Sequence, residues 1–165
     1  MTSAVHRVAD APTVWLSSDV YNVTVRGEAT SGAVSLTDGW VPPGGGPPPH
    51  VHVNATELIY VHTGEVAIVI DGIERTAGPG DTAVITPGTV HWFRNRTAVP
   101  ARVLFVFTPP GTEEFFVQAG TPASAGVPVP LATDDDNARA SEIGLRFGLT
   151  PGLGSDLPHD ERTVV

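Results

Sequence analysis

The feature that most constrains this chain is a group of metal-binding side-chain types that follows a glycine- and proline-rich run. His50 and His52 lie two residues apart, and Glu57 follows five residues later, in the stretch GGGPPPHVHVNATELIYVHTG. In an extended strand, side chains two residues apart project from the same face, so the two imidazoles can bind one cation. Glu57 lies an odd number of residues beyond His52, so a bend at Asn54 and Ala55 is required to bring its carboxylate to the same face.

A second segment supplies a further histidine. Residues 80–95 read GDTAVITPGTVHWFRN, in which His91 follows a Pro87-Gly88 turn and begins an extended run. A lone histidine is more often a core or surface residue than a ligand. The combined spacing of three histidines and one glutamate reverses that expectation and indicates a metal site.

These two segments resemble the paired motifs of the cupin superfamily. The residues that match the first motif are Gly44, His50, His52, Glu57 and Gly64, and those that match the second are Gly80, Gly88, His91 and Asn95. One position departs from the family pattern: Thr86 stands where proline is usual, with Pro87 one place later. This difference affects the rigidity of the turn and leaves the ligand set intact. The two motifs in combination are far more specific than a lone His-x-His.

The composition favours an all-β domain. The 165 residues are enough for one domain and too few for two, and 18 glycines and 16 prolines accompany 41% hydrophobic residues. Short strand-like runs separated by turn signals, such as Asp71 and Gly72, are typical of a sandwich or barrel. The resemblance implies the cupin form of this fold, a double-stranded β-helix or jelly-roll barrel with the metal inside, and we expect short C-terminal helices.

The chain is expected to have four parts. These are an N-terminal arm at residues 1–19, the cupin barrel at 20–110, a C-terminal helical extension at 111–153 and a flexible tail at 154–165. In the extension, a helix is predicted from Asp134 to Phe147, because Thr133 is a good N-cap and three acidic residues follow it.

Charge and missing residue types exclude several functions. The formal net charge is -9 with no basic stripe, so neither nucleic acid nor an acidic membrane is expected as a partner. The sequence has no cysteine, which leaves His, Asp and Glu to bind metal, and no lysine, which excludes Schiff-base chemistry. Neither a membrane-spanning apolar stretch nor a secretory leader is recognisable, and a cytoplasmic location is expected.

The predicted metal site has four ligands, His50, His52, Glu57 and His91. Imidazoles with one carboxylate suit a single divalent transition metal, and Ni, Mn, Fe, Co, Cu and Zn are all candidates. Four protein ligands in an octahedral shell leave positions for water, substrate or dioxygen, so the site is open to catalysis. Glu57 has two compatible roles, as the fourth ligand and as a catalytic base that takes a proton from bound substrate.

The substrate pocket is expected to be apolar. Its candidate lining residues are Ile59, Val61, Phe93, Phe105 and Phe107. Ordinary core packing is an equal alternative for all five, because the interior of a barrel is both core and pocket. Such walls favour a flat or apolar organic substrate over a highly charged one.

Two stretches carry a more specific resemblance. GGGPPPHVH and FTPPGTEEFFVQAG resemble quercetin 2,3-dioxygenase-like single-domain cupins, and the similarity extends over roughly residues 40–120. This implies a metal-dependent dioxygenase for a small aromatic or enolisable compound, with O2 as co-substrate and Glu57 accepting the substrate's proton. Because fold does not fix function, two alternatives are retained: a non-redox isomerase, cyclase or decarboxylase of secondary metabolism, and a non-enzymatic cupin that binds a metal or small ligand.

A homodimer is also expected. Single-barrel cupins commonly pair, and the arm contains an apolar trio, Val14, Trp15 and Leu16, with no obvious place in the barrel. Because an uncovered sheet edge invites association, the arm is predicted to pack on the edge of a partner's barrel. The alternative is that the trio forms an edge strand within its own barrel.

Overall fold

The computed structural model describes residues 4–152, which form two antiparallel β-sheets and two short α-helices. The strands are β1 (Thr13–Leu16), β2 (Asp19–Val25), β3 (Ser35–Val41), β4 (His50–His52), β5 (Thr56–Thr63), β6 (Val66–Ile70), β7 (Ile73–Ala77), β8 (Thr82–Ile85), β9 (His91–Arg94), β10 (Ala101–Thr108), β11 (Thr121–Pro122) and β12 (Leu149–Pro151). The helices are α1 (Thr112–Ala119) and α2 (Asp134–Leu145), and short 3-10 turns occur at Val8–Asp10 and Gly27–Thr30.

One sheet has seven strands and the other has five. The seven-stranded sheet runs β11-β1-β2-β3-β10-β5-β8, and the five-stranded sheet runs β12-β4-β9-β6-β7. Every pair of neighbouring strands is antiparallel. The predicted all-β class with short C-terminal helices is therefore confirmed.

The core forms between the two sheets because the central strands alternate strictly. On β10, Val103, Phe105 and Phe107 are buried while the residues between them are half-buried. On the neighbouring β5, Ile59 and Val61 are completely buried at the same level. Removing these apolar side chains from water stabilises the sandwich by about 25 cal/mol for each Å² buried.

The hairpin between β6 and β7 follows directly from its turn sequence. Ile70 pairs with Ile73, which leaves Asp71 and Gly72 as a two-residue loop. Both residues have positive φ values, 48° and 79°, as a type I′ turn requires. The turn signal in the sequence therefore predicted this hairpin correctly.

The N-terminal segment differs from the expected arm packed on a partner's barrel, because β1 lies inside the predicted 1–19 region. Val14 and Leu16 are buried in the core, and β1 pairs with β2 on one side and β11 on the other. Alternation buries these two side chains within the chain's own sheet, so no partner is needed to cover them. The apolar trio therefore forms a strand of its own barrel, which was the alternative considered. A homodimer stays a prediction, and light scattering on the intact chain tests it.

The C-terminal extension packs back onto the sheets. Thr133 and Asp136 form a capping box, in which the Thr133 hydroxyl accepts from the Asp136 backbone N–H and the Asp136 carboxylate accepts from that of Thr133. After α2, β12 adds to the edge of the five-stranded sheet by pairing with β4. The predicted tail at 154–165 lies outside the described residues. Within residues 4–152, no helix combines the length and apolar character needed to cross a bilayer.

Candidate metal centre

The four predicted ligands come from three strands. His50 and His52 lie on β4, His91 begins β9 directly opposite His50, and Glu57 lies on the inward face of β5 in the other sheet. The centre therefore bridges the two sheets. The bend between β4 and β5 supplies the change of direction that the odd spacing between His52 and Glu57 required.

The ligand atoms converge closely. Oε2 of Glu57 lies 2.8 Å from Nε2 of His91 and 3.2 Å from Nε2 of His52. One potential ligand atom from each of the four residues can be chosen so that all four lie within 4.8 Å of one another. Donors on opposite sides of one zinc-sized ion are about 4.2 Å apart, since each bond is roughly 2.1 Å long. The cluster is thus of the size that a single ion requires.

Two histidines are oriented by backbone carbonyls. Nδ1 of His50 lies 3.0 Å from the carbonyl oxygen of Pro48, and Nδ1 of His91 lies 3.0 Å from that of Thr89. A carbonyl only accepts, so each Nδ1 carries a proton and each Nε2 is the ring nitrogen left to bind an ion. This arrangement is typical of metal-binding histidines.

His52 provides the clearest test of whether the site fits a metal. Its ring is 4% exposed, and neither ring nitrogen has a hydrogen-bond partner among the described residues. The 3.2 Å approach of its Nε2 to Glu57 does not have hydrogen-bond geometry. A buried imidazole without a partner is costly unless something else binds its lone pair. Neutral imidazoles with one carboxylate satisfy a divalent first-row ion, so the residues fit such a metal.

The charges of the cluster are strongly coupled. Burial by itself raises the pKa of Glu57, but contacts with His52 and His91 outweigh it and hold that pKa well below the usual range. Burial lowers the pKa of His91, whereas its hydrogen bond to Glu57 raises it, and the net result is an increase. The pKa of His50 falls to about 3, first through burial and then through the neighbouring imidazoles. Glu57 is therefore ionised and His50 neutral near neutral pH.

The glycine-rich loop before β4 is anchored to the loop after β9. The backbone of Asn95 exchanges hydrogen bonds with Gly44 and Gly45, and its side-chain amide donates to the carbonyl oxygens of Val41 and Val99. Gly46 has a φ of +128°, and a Cβ there would lie 2.1 Å from the carbonyl oxygen of Phe93. Only glycine permits this approach, which fixes where the chain enters β4.

A cavity of about 240 Å³ adjoins the centre. Its wall includes three ligands, His50, His52 and Glu57, and the three aromatic residues predicted from the sequence, Phe93, Phe105 and Phe107. Ile59 and Val61 are packed in the core between the sheets, and the expected lining differs from the observed one at these two positions. Both are completely buried, which agrees with the core-packing alternative.

Other parts of the wall were not anticipated from the sequence. Tyr21 on β2 contributes, as do α1, one face of α2, and β12 with the glycine after it. For the α2 part of the wall, the sequence contained a weak signal, since positions 137, 140, 141 and 144 have the spacing of one helix face. For β12, the sequence contained no such signal, because its pairing with β4 joins residues nearly one hundred positions apart.

Tyr21 contacts a buried acidic residue, Asp19. The Tyr21 hydroxyl donates to Oδ2 of Asp19 at 3.0 Å, and both side chains are removed from solvent. Burial raises the pKa of Asp19 to about 7 although the hydrogen bond from Tyr21 opposes the increase. Burial likewise raises the pKa of Tyr21 well above its usual range.

The fold is similar to that of known cupins, and part of the chain matches a cupin family model. Residues 40–107 match the family described as Cupin domain, and this segment contains all four ligands. The strands β1, β2, β11 and β12 and the two helices lie outside the matched segment.

Several known proteins are similar to this chain in sequence or in structure. Germin-like protein 1-1 of Oryza sativa subsp. japonica is 37% identical over 95 residues, which cover 53% of this chain and 43% of that protein. A predicted oxalate decarboxylase from Thermotoga maritima superimposes with a TM-score of 0.59 at 20% identity, covering 63% of this chain and 97% of the other. A recombinant oxalate oxidase in complex with glycolate gives a TM-score of 0.50 at 25% identity, covering 66% and 59%. The chain spans about half the length of the curated relatives it matches.

Proposed function

We propose that this chain is a metal-dependent dioxygenase that acts on a small aromatic or enolisable compound. The observation that carries the proposal is the position of the four-residue cluster beside an aromatic-walled cavity of about 240 Å³. That volume is somewhat below the usual range of about 300–1,000 Å³ for ligand sites, which favours a small substrate.

The cavity favours an uncharged substrate over a small dicarboxylate. Two of the structurally similar proteins are described as oxalate enzymes. In this chain, which has no lysine, no arginine among the described residues lines the cavity. An anion with two carboxylates would have one metal ion as its main counter-charge and apolar walls around the rest. The aromatic rings of Phe93, Phe105 and Phe107 instead suit a flat organic ring.

The residues have distinct tasks in such a reaction. A divalent ion held by His50, His52, Glu57 and His91 would supply Lewis-acid polarisation of a substrate oxygen. The Glu57 carboxylate accepts the proton of the substrate's enol or phenol group, and the phenylalanine walls orient the ring and exclude water. Dioxygen is the oxidant: its two atoms enter the product as a carbon–carbon bond of the activated ring breaks. The substrate supplies all four electrons, so no external reductant is needed.

A non-redox reaction is the second candidate. An ionised Glu57 beside the cavity can move a proton without dioxygen, which is sufficient for an isomerase, cyclase or decarboxylase. Turnover that continues under argon distinguishes this candidate from the first.

The test is oxygen consumption by the purified chain reconstituted separately with Mn, Fe, Co, Ni and Cu. We expect at least one metal form to consume oxygen with a panel of flavonols and none to do so with oxalate. His91→Ala removes one of the four ligands and serves as the matched control, with loss of both metal and oxygen uptake. The absence of uptake with every metal and every flavonol would contradict the dioxygenase proposal.

A cytoplasmic location also stays a prediction.

A further inference from the structure

The cavity is built from two parts of different origin. Its metal-binding side and three of its five phenylalanines, Phe93, Phe105 and Phe107, lie within residues 40–107, the segment that matches the cupin domain. Much of the remaining wall comes from α1, α2 and β12, which follow that segment. The part of the cavity that distinguishes one substrate from another can therefore lie outside the cupin motifs.

The helix α2 presents one continuous face to the cavity. Asn137, Ala140, Ser141 and Gly144 all line it, at the spacing expected of residues on one side of an α-helix. Gly144 permits close packing, because a Cβ there would lie 3.2 Å from the Cβ of Leu149 and 3.5 Å from the ring of Phe115. The helix is thus held near the cavity by its small residues.

The two polar residues on this face have no structural task in the described part of the chain. Neither the Asn137 amide nor the Ser141 hydroxyl has a hydrogen-bond partner among residues 4–152. Asn137 is half-buried and Ser141 is exposed, so both polar groups are accessible at the cavity wall, and the capping of α2 is already complete through Thr133 and Asp136. A ligand bound in the cavity can therefore form hydrogen bonds with both side chains without breaking one that the fold uses.

We propose that Asn137 and Ser141 are specificity-determining residues that bind an uncharged hydroxyl or carbonyl substituent of the substrate. They lie four residues apart, so both side chains can reach one substituent, and each can donate and accept a hydrogen bond. An anionic substituent is disfavoured because Asp134, Asp135 and Asp136 occupy the preceding turn and no arginine of the described residues lines the cavity, and a neutral hydroxyl or carbonyl suits the amide and hydroxyl groups on offer. The inference rests on the proposed function for the aromatic nature of the substrate.

The test compares the binding of matched ligands to the intact, metal-loaded protein under argon. The probes are 3-hydroxyflavone, which has only the enol hydroxyl, and its 4′-hydroxy and 7-hydroxy derivatives, which carry one further hydroxyl at either end. We expect the wild type to bind one derivative about tenfold more tightly than the parent, as one or two net hydrogen bonds allow. In Asn137→Leu/Ser141→Ala that preference is lost, while the metal content stays at the wild-type level.

The control is Glu142→Gln, which changes a neighbouring exposed residue of α2 that does not line the cavity. It should retain the preference of the wild type. The inference is overturned if the wild type has no preference, if the double variant retains it, or if none of the three compounds binds. Binding with the expected preference but without oxygen uptake overturns the dioxygenase proposal alone.

Discussion

At the scale of single residues, the centre depends on how one carboxylate is shared between two imidazoles. Glu57 contacts His91 at 2.8 Å and His52 at 3.2 Å, and these contacts hold its pKa low despite its burial. The same carboxylate is the predicted proton acceptor for the substrate. Its two roles are separable, because an amide at this position still offers an oxygen to a metal but cannot accept a proton.

Glu57→Gln should therefore separate metal binding from turnover. We expect metal to be largely retained while turnover falls by about two to four orders of magnitude, the usual contribution of a general base. Metal analysis and the oxygen-uptake rate are the measurements, and Glu65→Gln, at an exposed position, is the control. A variant with unchanged turnover would show that Glu57 is not the base.

Asp19 makes a separate prediction about pH. Its pKa is about 7 in the folded protein and about 3.8 in its unperturbed state, so the folded state binds the additional proton between these values. The stability gained from that proton is complete below about pH 4 and is lost as pH rises through 7. Asp19→Asn abolishes this dependence and should be more stable than the wild type at pH 8 by an amount on the order of a few kcal/mol.

Urea unfolding at pH 5 and pH 8 measures this difference. Asp135→Asn, at an exposed position of α2, controls for the loss of one negative charge. Parallel stability profiles for the wild type and Asp19→Asn would contradict a raised pKa at Asp19.

At the scale of elements, the pairing of β12 with β4 supports the ligand strand. Leu149 pairs with His52 and Pro151 with His50, and the Gly152 backbone N–H donates to the Pro49 carbonyl oxygen at 3.0 Å. A three-residue strand such as β4 has few hydrogen bonds of its own. Its second partner strand should therefore help to fix the direction of both imidazoles.

Gly152→Ala tests this support. The added Cβ would lie 2.8 Å from Cγ1 of Val90 and 3.2 Å from the backbone of Pro49, so β12 must move away from β4. We expect weaker metal binding and a loss of about 1–3 kcal/mol in stability, as for other overpacked sites. Gly78→Ala is the matched control, since the nearest atom to its Cβ is 4.0 Å away. Equal metal affinity in the two variants would exclude this role for β12.

At the scale of the whole molecule, an ion bound at the candidate centre would join the two sheets. Glu57 belongs to the seven-stranded sheet, whereas all three histidines belong to the five-stranded sheet. An ion bound by both sheets binds the folded state only, and it should stabilise the sandwich by mass action.

Chelation should consequently lower the melting temperature near neutral pH and have little effect at acid pH. The effect of chelation decreases at acid pH because the histidines must be neutral to bind a metal ion. The pKa of His91 is raised, so this residue takes up a proton at a higher pH than an ordinary histidine, which opposes metal binding as the pH falls. Differential scanning calorimetry with and without EDTA at pH 7.5 and pH 4.5 is the measurement. An equal decrease at both pH values would be inconsistent with a histidine-rich site.

The sequence by itself determined the features that depend on short-range spacing. The two-residue separation of His50 and His52 placed both rings on one face, and Asp71-Gly72 fixed a hairpin through its positive φ angles. Thr133 specified the start of α2 through its capping box. Each of these effects acts within about one helical turn or one strand, so the local residues are sufficient to encode it.

Only the tertiary structure decided what surrounds the metal centre. The trio at 14–16 became a strand of its own sheet, Tyr21 was placed in the cavity wall with its hydroxyl bonded to Asp19, and β12 was placed beside β4. These placements depend on pairing between residues far apart in the chain. Such pairing is selected by the summed burial and hydrogen bonding of the complete sandwich, and no single segment contains that information.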